Sequence, residues 1–156
     1  MSDVYYFYNG YCSKWYPSNF TFKSLTYSSM EQWMMSMKAL CSDDYESFEK
    51  IMASDDPIYI NKLSNEIKNV DEENWNEQRY AIVILGNYLK FSQNPNLKNW
   101  LIKTHYVQLV QASPIDSIWG IGIGIQDAEQ GKEWKGQNLL GKAIMEVRYK
   151  LSKKEI

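Results

Sequence analysis

The sequence predicts an α+β fold: a single compact, mainly helical domain with a small β-sheet. A length of 156 residues and a hydrophobic content of 44% suit one globular core. Apolar residues recur at helical spacing over long segments, whereas strand-like patterns are confined to short ones. No linker rich in proline, glycine or serine interrupts the chain, so we expect one domain over residues 1–156.

The strands that we expect are short. Residues 4–8 (VYYFY) are aromatic and β-prone, and residues 20–27 hold one or two further short strands. Residues 106–112 (YVQLVQA) alternate in the manner of a half-buried strand. Residues 9–19 contain glycine, proline and asparagine and predict a loop. We therefore expect the small sheet to be made from both ends of the chain.

Helices are expected over most of the remaining sequence. The first begins after Ser28 and Ser29, whose hydroxyls suit an N-cap, and continues to about Leu40. The others run from Asp43 or Asp44 to about Ala53, from Pro57 to about Lys68, from Glu72 to Ser92, over 96–103 and over 137–152. The apolar positions expected on the first and the longest helix are Met30, Trp33, Met34, Met37, Trp75, Ile82, Leu85 and Leu89.

The composition argues against several classes of protein. A formal net charge of −2 provides no basic surface of the kind that sequence-independent nucleic-acid binding needs. No apolar run approaches the roughly 20 residues of a membrane span, and no signal peptide is readable, so we expect a cytoplasmic protein without a membrane partner. Cys12, Cys41 and the single His105 are too few for a classical zinc site, and we expect the two thiols to be free.

Glu31 and Lys38 are the first candidates for chemistry. They lie seven residues apart on one predicted helix, so both project from the same face, about 10.5 Å apart along the axis. That separation suits binding to opposite ends of a small ligand. The alternative is a first-turn glutamate stabilised by the helix dipole and a lysine whose stem lies along apolar surface. The pattern alone favours this alternative.

The segment SPIDSIWGIGIG (113–124) predicts a loop that suits a ligand. Three glycines at alternate positions, the first of them Gly120, allow close approach of the backbone. Trp119 suits stacking on a planar group, and Asp116 suits accepting a hydrogen bond from a sugar hydroxyl. The alternative is a simple turn that carries a core tryptophan.

Two further segments carry candidates. Trp134 and Asn138 precede the last predicted helix, whose N-terminus suits an anion such as phosphate; alternatively, Asn138 only caps that helix. Asn19 lies in the polar and aromatic loop YPSNF (16–20), where it has either a structural or a base-reading role.

Taken together and in this order, these segments resemble the NADAR (YbiA-like) family. The resemblance implies a compact, mainly helical α+β fold and an N-glycosidase without a metal or redox cofactor. Some members cleave the base–ribose bond of phosphorylated riboflavin-pathway intermediates, and others remove ADP-ribose from guanine bases. The implied substrate is a small-molecule nucleotide or an ADP-ribosylated base, including a base in modified nucleic acid. The matching segments are YPSNF (16–20), SSMEQWMMSMKAL (28–40), the helix of Trp75 and Arg79, SPIDSIWGIG (113–122) and WKGQNLLGKAIMEVR (134–148).

The resemblance also implies roles for individual residues. Glu31 and Lys38 match the Glu and Lys of the family's active-site helix, and Asp116 and Trp119 match residues of its loop. The catalytic group implied is Lys38, Glu31 and Asp116, with the Lys38 amine forming a Schiff base at C1 of the ring-opened ribose. We expect Glu31, Lys38, Asp116 and Trp119 to line one pocket. The ligand-binding residues expected are Asn19, Phe20, Arg79, Trp119, Gly120, Trp134 and Asn138.

Three departures from the family pattern favour an alternative function. Gln32 stands where a histidine is usual, Gln111 where the strand usually ends in Glu, and Ser64-Asn65 where Gly-Arg is usual. A neutral amide does not exchange protons usefully at pH 7, and loss of an arginine removes a bidentate phosphate contact. The alternative is a binding module of the same fold that holds ADP-ribose or a related nucleotide without turnover.

Overall fold

The structure is a computed structural model that describes residues 3–154. These residues form seven helices and four short strands, which confirms the predicted α+β class with helices in the majority. In chain order the elements are β1 (Val4–Phe7), β2 (Phe20–Phe22), β3 (Leu25–Tyr27), α1 (Met30–Cys41), α2 (Tyr45–Met52), α3 (Pro57–Ser64), α4 (Glu72–Gln93), α5 (Pro95–Lys103), β4 (Gln108–Gln111), α6 (Ile125–Glu129) and α7 (Leu139–Lys154).

The chain divides into two compact units. The central unit is Lys14–Asn94, and the terminal unit combines Met1–Ser13 with Pro95–Ile156. The interpretation of residues 1–156 as a single domain stays a prediction. Each helix within residues 3–154 is too short or too polar to cross a bilayer.

In the central unit, α1 packs against α2, α3 and α4. Ser29 caps α1 as predicted, since its hydroxyl accepts a hydrogen bond from the Gln32 N–H. The hairpin of β2 and β3 contributes Phe20 and Tyr27, whose rings stack and meet the edge of Trp33. α3 ends at Ser64, four residues before the predicted end. Beyond it, the N–H groups of Asn65 and Glu66 donate to carbonyls three residues earlier, as in a 3₁₀ turn, and not four residues earlier as in an α-helix.

The buried face of α4 differs from the predicted one. Leu85 is exposed and Ile82 is half-buried, whereas Gly86 packs so closely on Trp33 that a Cβ there would clash with the indole. Close approach at a glycine sets the rotation of the helix, and this outweighs the burial of leucines that the apolar pattern predicts. The residues buried on α4 are Trp75, Val83, Gly86, Asn87, Lys90 and Phe91.

The terminal unit contains a parallel pair of strands, β1 with β4, in the register Val4 to Gln108 through Phe7 to Gln111. This pair confirms a small sheet between the first strand and the late one, but β2 and β3 form a separate antiparallel sheet. α7 packs on β4, and α5 packs on α7. α6 has only five residues and follows Gly124 without a side-chain cap, so the sequence carries no start signal for it.

Candidate active site

Glu31 lies in the first turn of α1 with 1% of its surface exposed. Its Oε2 accepts a hydrogen bond from the indole N–H of Trp15 at 3.1 Å. Its Oε1 is buried and has no hydrogen-bond partner within the described residues. Because a buried carboxylate oxygen without a partner costs free energy, this atom is the strongest indication of a ligand contact in the central unit.

Lys38 lies near the end of α1 and is half-buried. Its Nζ lies 5.7 Å from the centroid of the Trp75 ring on α4, a cation–π contact. Trp75 is buried, as predicted. Arg79 follows Trp75 by one helical turn and donates to Asn76 Oδ1 at 2.8 Å. Contact of Arg79 with a ligand phosphate or carboxylate stays a prediction.

The two candidates from the YPSNF loop occupy different environments in the central unit. Asn19 is exposed, and its backbone carbonyl accepts a hydrogen bond from the side chain of Asn94 at 3.0 Å. Phe20 is 1% exposed and has its ring 5.9 Å from that of Trp33. The structure therefore gives Phe20 a place in the aromatic core, and ligand contact by either residue stays a prediction.

Gln32, the first departure from the family pattern, is a structural clamp. Its Oε1 accepts hydrogen bonds from the N–H and the hydroxyl of Ser28, at 2.7 and 3.1 Å. Its Nε2 donates to the carbonyls of Ile51 and Ser54 at 3.1 and 2.8 Å. The amide thus joins the start of α1 to the end of α2. The structure gives this departure a packing reason within the central unit.

We expect Gln32→Leu to destabilise the protein by about 2–4 kcal/mol, because it leaves buried donors and acceptors without partners. In thermal unfolding this corresponds to a fall in Tm of roughly 10 °C. The matched control is Gln78→Leu on the exposed face of α4, which should change the free energy of unfolding by no more than about 0.5 kcal/mol. Equal effects of the two substitutions would contradict the clamp.

In the terminal unit, Asp116 and Trp119 belong to one tight turn. The Oδ1 of Asp116 accepts hydrogen bonds from the N–H groups of Ile118 and Trp119, at 3.0 and 2.8 Å. Trp119 is 7% exposed. A Cβ at Gly120 would lie 2.9 Å from the carbonyl oxygens of Asp116 and Gln111, so packing alone requires a glycine there.

The loop of Asp116 and Trp119 is bound to the segment that starts α7. The N–H groups of Gln137, Asn138, Leu139 and Leu140 donate to the carbonyls of residues 117, 120, 118 and 119, and Lys135 donates to Ile121. The structure thus brings two of the predicted motifs together. The N–H groups of residues 137–140 already have backbone acceptors, and a phosphate at this helix start stays a prediction. Trp134, at the edge of this arrangement, is 37% exposed.

Asn138 joins the start of α7 to β4. It has a positive φ of 53° and is 1% exposed. Its Oδ1 accepts from the Gln111 N–H at 2.9 Å, and its Nδ2 donates to the Leu109 carbonyl at 3.0 Å. The side-chain amide therefore forms hydrogen bonds with the backbone of β4 of the kind that a neighbouring strand would form. Contact between Asn138 and a ligand stays a prediction.

We expect Asn138→Gly to cost about 2–3 kcal/mol of stability in denaturant unfolding. Glycine tolerates the positive φ, so the loss reports the two buried hydrogen bonds alone. The matched control is Asn69→Gly, at an exposed position with φ 62°, which should be neutral within about 0.5 kcal/mol. A neutral Asn138→Gly would show that the amide does not stabilise this unit.

The structure also reveals buried polar residues that the sequence analysis did not single out. Lys90 is fully buried on α4, with Nζ 5.1 Å from the Phe91 ring centroid and 5.9 Å from that of Tyr16. Asn87 is fully buried, and its Oδ1 has no partner among the described residues. Their spacing from Gly86 on the helix was the available signal, because a glycine marks the close face of a helix.

The four residues predicted to line one pocket fall into both units. Glu31 and Lys38 belong to the central unit, whereas Asp116 and Trp119 belong to the terminal unit. Their common pocket stays a prediction. In the described part of the chain, no three histidine, cysteine, aspartate or glutamate side chains are grouped as a metal site requires. Cys12 and Cys41 are not joined by a disulfide bond in the described residues.

Comparison with known proteins defines the class to which this fold and these residues belong. A model of the NADAR domain matches residues 5–152, so the chain belongs to the NADAR domain family, and the resemblance seen in the sequence is confirmed. The solved NMR structure of the E. coli protein YbiA has the same fold, with a TM-score of 0.82 at 23% identity, over 99% of this chain and 89% of YbiA.

Two curated relatives are similar over most of this chain. An N-glycosidase of Acanthamoeba polyphaga mimivirus is 41% identical over 143 residues, which are 87% of this chain and 84% of that protein. A riboflavin biosynthesis protein of Vibrio vulnificus is 27% identical over 156 residues, 97% of this chain and 39% of that protein.

Proposed function

We propose that the protein is an N-glycosidase that hydrolyses the base–ribose bond of a ribosylated base. The observation that carries the proposal is the buried Oε1 of Glu31, which lies on the same helix as Lys38 and has no hydrogen-bond partner within residues 3–154. The 41% identity to a relative named as an N-glycosidase supports the reaction class. The proposal includes a cytoplasmic location and a reaction that needs no metal.

Glu31 acts in this proposal as the proton donor to the leaving base. As the bond between C1 and the base nitrogen breaks, its electron pair passes to the nitrogen, which takes the proton. The Lys38 amine then adds to the cationic C1, and the bond from C1 to the ring oxygen breaks; that oxygen keeps the electron pair and takes a proton from the amine, so the sugar ring opens and a C=N bond forms. Hydrolysis of that bond returns the amine and completes the net addition of water. Asp116 is the second carboxylate of the proposed catalytic group.

Two substrates follow from the proposal: ADP-ribosylated guanine, free or in nucleic acid, and a riboflavin-pathway ribosylaminopyrimidine phosphate. The name of the Vibrio vulnificus relative supports the second. The test is incubation of the protein with ADP-ribosylated guanosine and with the ribosylaminopyrimidine phosphate, with the products read by mass spectrometry. Release of unmodified guanosine from the first substrate, or of the free aminopyrimidine from the second, supports the proposal, and intact substrates in both reactions would reject it.

A binding module that holds ADP-ribose or a related nucleotide is the second candidate. The observation that favours it is Gln111, whose neutral amide stands at the end of β4 with its Oε1 buried and unpartnered among the described residues. An unpartnered acceptor suits a ligand donor, but an amide does not transfer protons. Tight binding of ADP-ribose in calorimetry without cleavage of either substrate would select this candidate.

A further inference from the structure

Trp15 contacts a side-chain oxygen of Glu31. Its indole N–H donates to Oε2 at 3.1 Å. The neighbouring residue holds the main chain of Glu31 as well, since the carbonyl of Lys14 accepts from the Glu31 N–H at 2.9 Å. Two consecutive residues of the loop before β2, Lys14 and Trp15, therefore form hydrogen bonds with the backbone and the side chain of Glu31.

The two side-chain oxygens of Glu31 differ in their hydrogen bonding. A buried carboxylate that served packing alone would have hydrogen bonds at both oxygens, because each one left without a partner costs free energy. Here Oε2 is occupied by Trp15 and Oε1 is unpartnered within the described residues. The bond to Trp15 fixes the rotation of the carboxylate and so determines which oxygen is available.

We propose that Trp15 is a positioning residue that holds the Glu31 carboxylate by Oε2 and so presents Oε1 to the substrate. This inference rests on the proposed function, in which Glu31 supplies the proton. An indole N–H suits the task because it donates only, in the plane of a rigid ring, and cannot compete for the proton. Trp15 is 41% exposed, so it lies at the boundary between Glu31 and solvent.

Trp15→Phe tests the inference, because it keeps an aromatic ring and removes the N–H. We expect kcat to fall about 10-fold with KM within about 2-fold, since the substrate still binds but the carboxylate is no longer oriented. In a Glu31→Gln background the same substitution should have no further effect on kcat. An equal fall in both backgrounds, or no fall in the wild-type background, would overturn the inference.

A measurement without substrate separates this inference from the proposed function. The Trp15 indole N–H resonance, identified by its loss in Trp15→Phe, should move in Glu31→Gln, where an amide replaces the carboxyl group that accepts its hydrogen bond. It should stay in place in Glu49→Gln, a control on the exposed face of α2. A protein that cleaves neither substrate but shows this shift retains the Trp15–Glu31 bond and fails only the proposed function. A resonance that does not move in Glu31→Gln overturns the inference.

Discussion

Lys38→Ala should abolish both turnover and the covalent adduct that borohydride traps during turnover. Reduction of the C=N bond between Lys38 and C1 makes the linkage permanent, so mass spectrometry of peptides should find the sugar on Lys38 of the wild-type protein. We expect turnover to fall by at least about 10³-fold, because the loss removes the nucleophile. Lys38→Arg should fail as well, since a guanidinium stays protonated and does not attack.

The matched control for Lys38 is Lys50→Ala. Lys50 lies in the same unit on α2, is exposed, and pairs with Glu46 at 3.3 Å, a surface contact worth little free energy. It should retain wild-type turnover and adduct formation. If Lys38→Ala turned over at near the wild-type rate, the amine would not be the nucleophile, and activation of water by Glu31 or Asp116 would take its place.

Glu31→Gln should lower kcat by about 10²- to 10⁴-fold, the usual contribution of a positioned proton donor or acceptor. We also expect it to melt no lower than the wild type. Glu31 is 1% exposed, and its Oε1 has no partner within the described residues. An amide of the same shape replaces that atom without adding a buried charge, so it should not raise the cost of burial.

Two measurements check this pair of effects: kcat on the substrate that the wild type cleaves, and Tm by calorimetry. Glu49→Gln on α2 is the control and should change neither quantity, because its side chain is exposed. A loss of kcat accompanied by a large fall in Tm would show instead that Glu31 serves the fold. Retention of kcat would remove Glu31 from the proposed chemistry.

Local hydrogen bonds explain why the helix starts could be predicted from the sequence. The side chains of Ser29, Asp44, Asp56 and Asp71 each accept a hydrogen bond from a backbone N–H two or three residues later. Such caps lie within four residues of the chain and leave a direct mark on the sequence. The end of α3 was misplaced because no comparable signal marks the change to tighter turns after Ser64.

The candidate site could be predicted only in part. The spacing of Glu31 and Lys38 on one helix was visible, but the burial of Glu31 and its bond to Trp15 depend on a loop 16 residues away. Asn138 was expected either to cap α7 or to bind a ligand, and its hydrogen bonds to β4 across 27 and 29 residues were not foreseen. Hydrogen bonds between residues so far apart in the chain produce no local sequence pattern from which they could be predicted.

The sequence by itself determined the α+β class, the family and the order of the elements other than α6, because these depend on local periodicity, caps and ordered motifs. Only the tertiary structure decided which face of α4 is buried, since Gly86 packs on Trp33 from a separate helix. It also decided that Gln32 is a clamp and that one oxygen of Glu31 has a partner while the other, within the described residues, has none. Burial and hydrogen-bond satisfaction are properties of packed neighbours, and packing joins residues that the sequence separates.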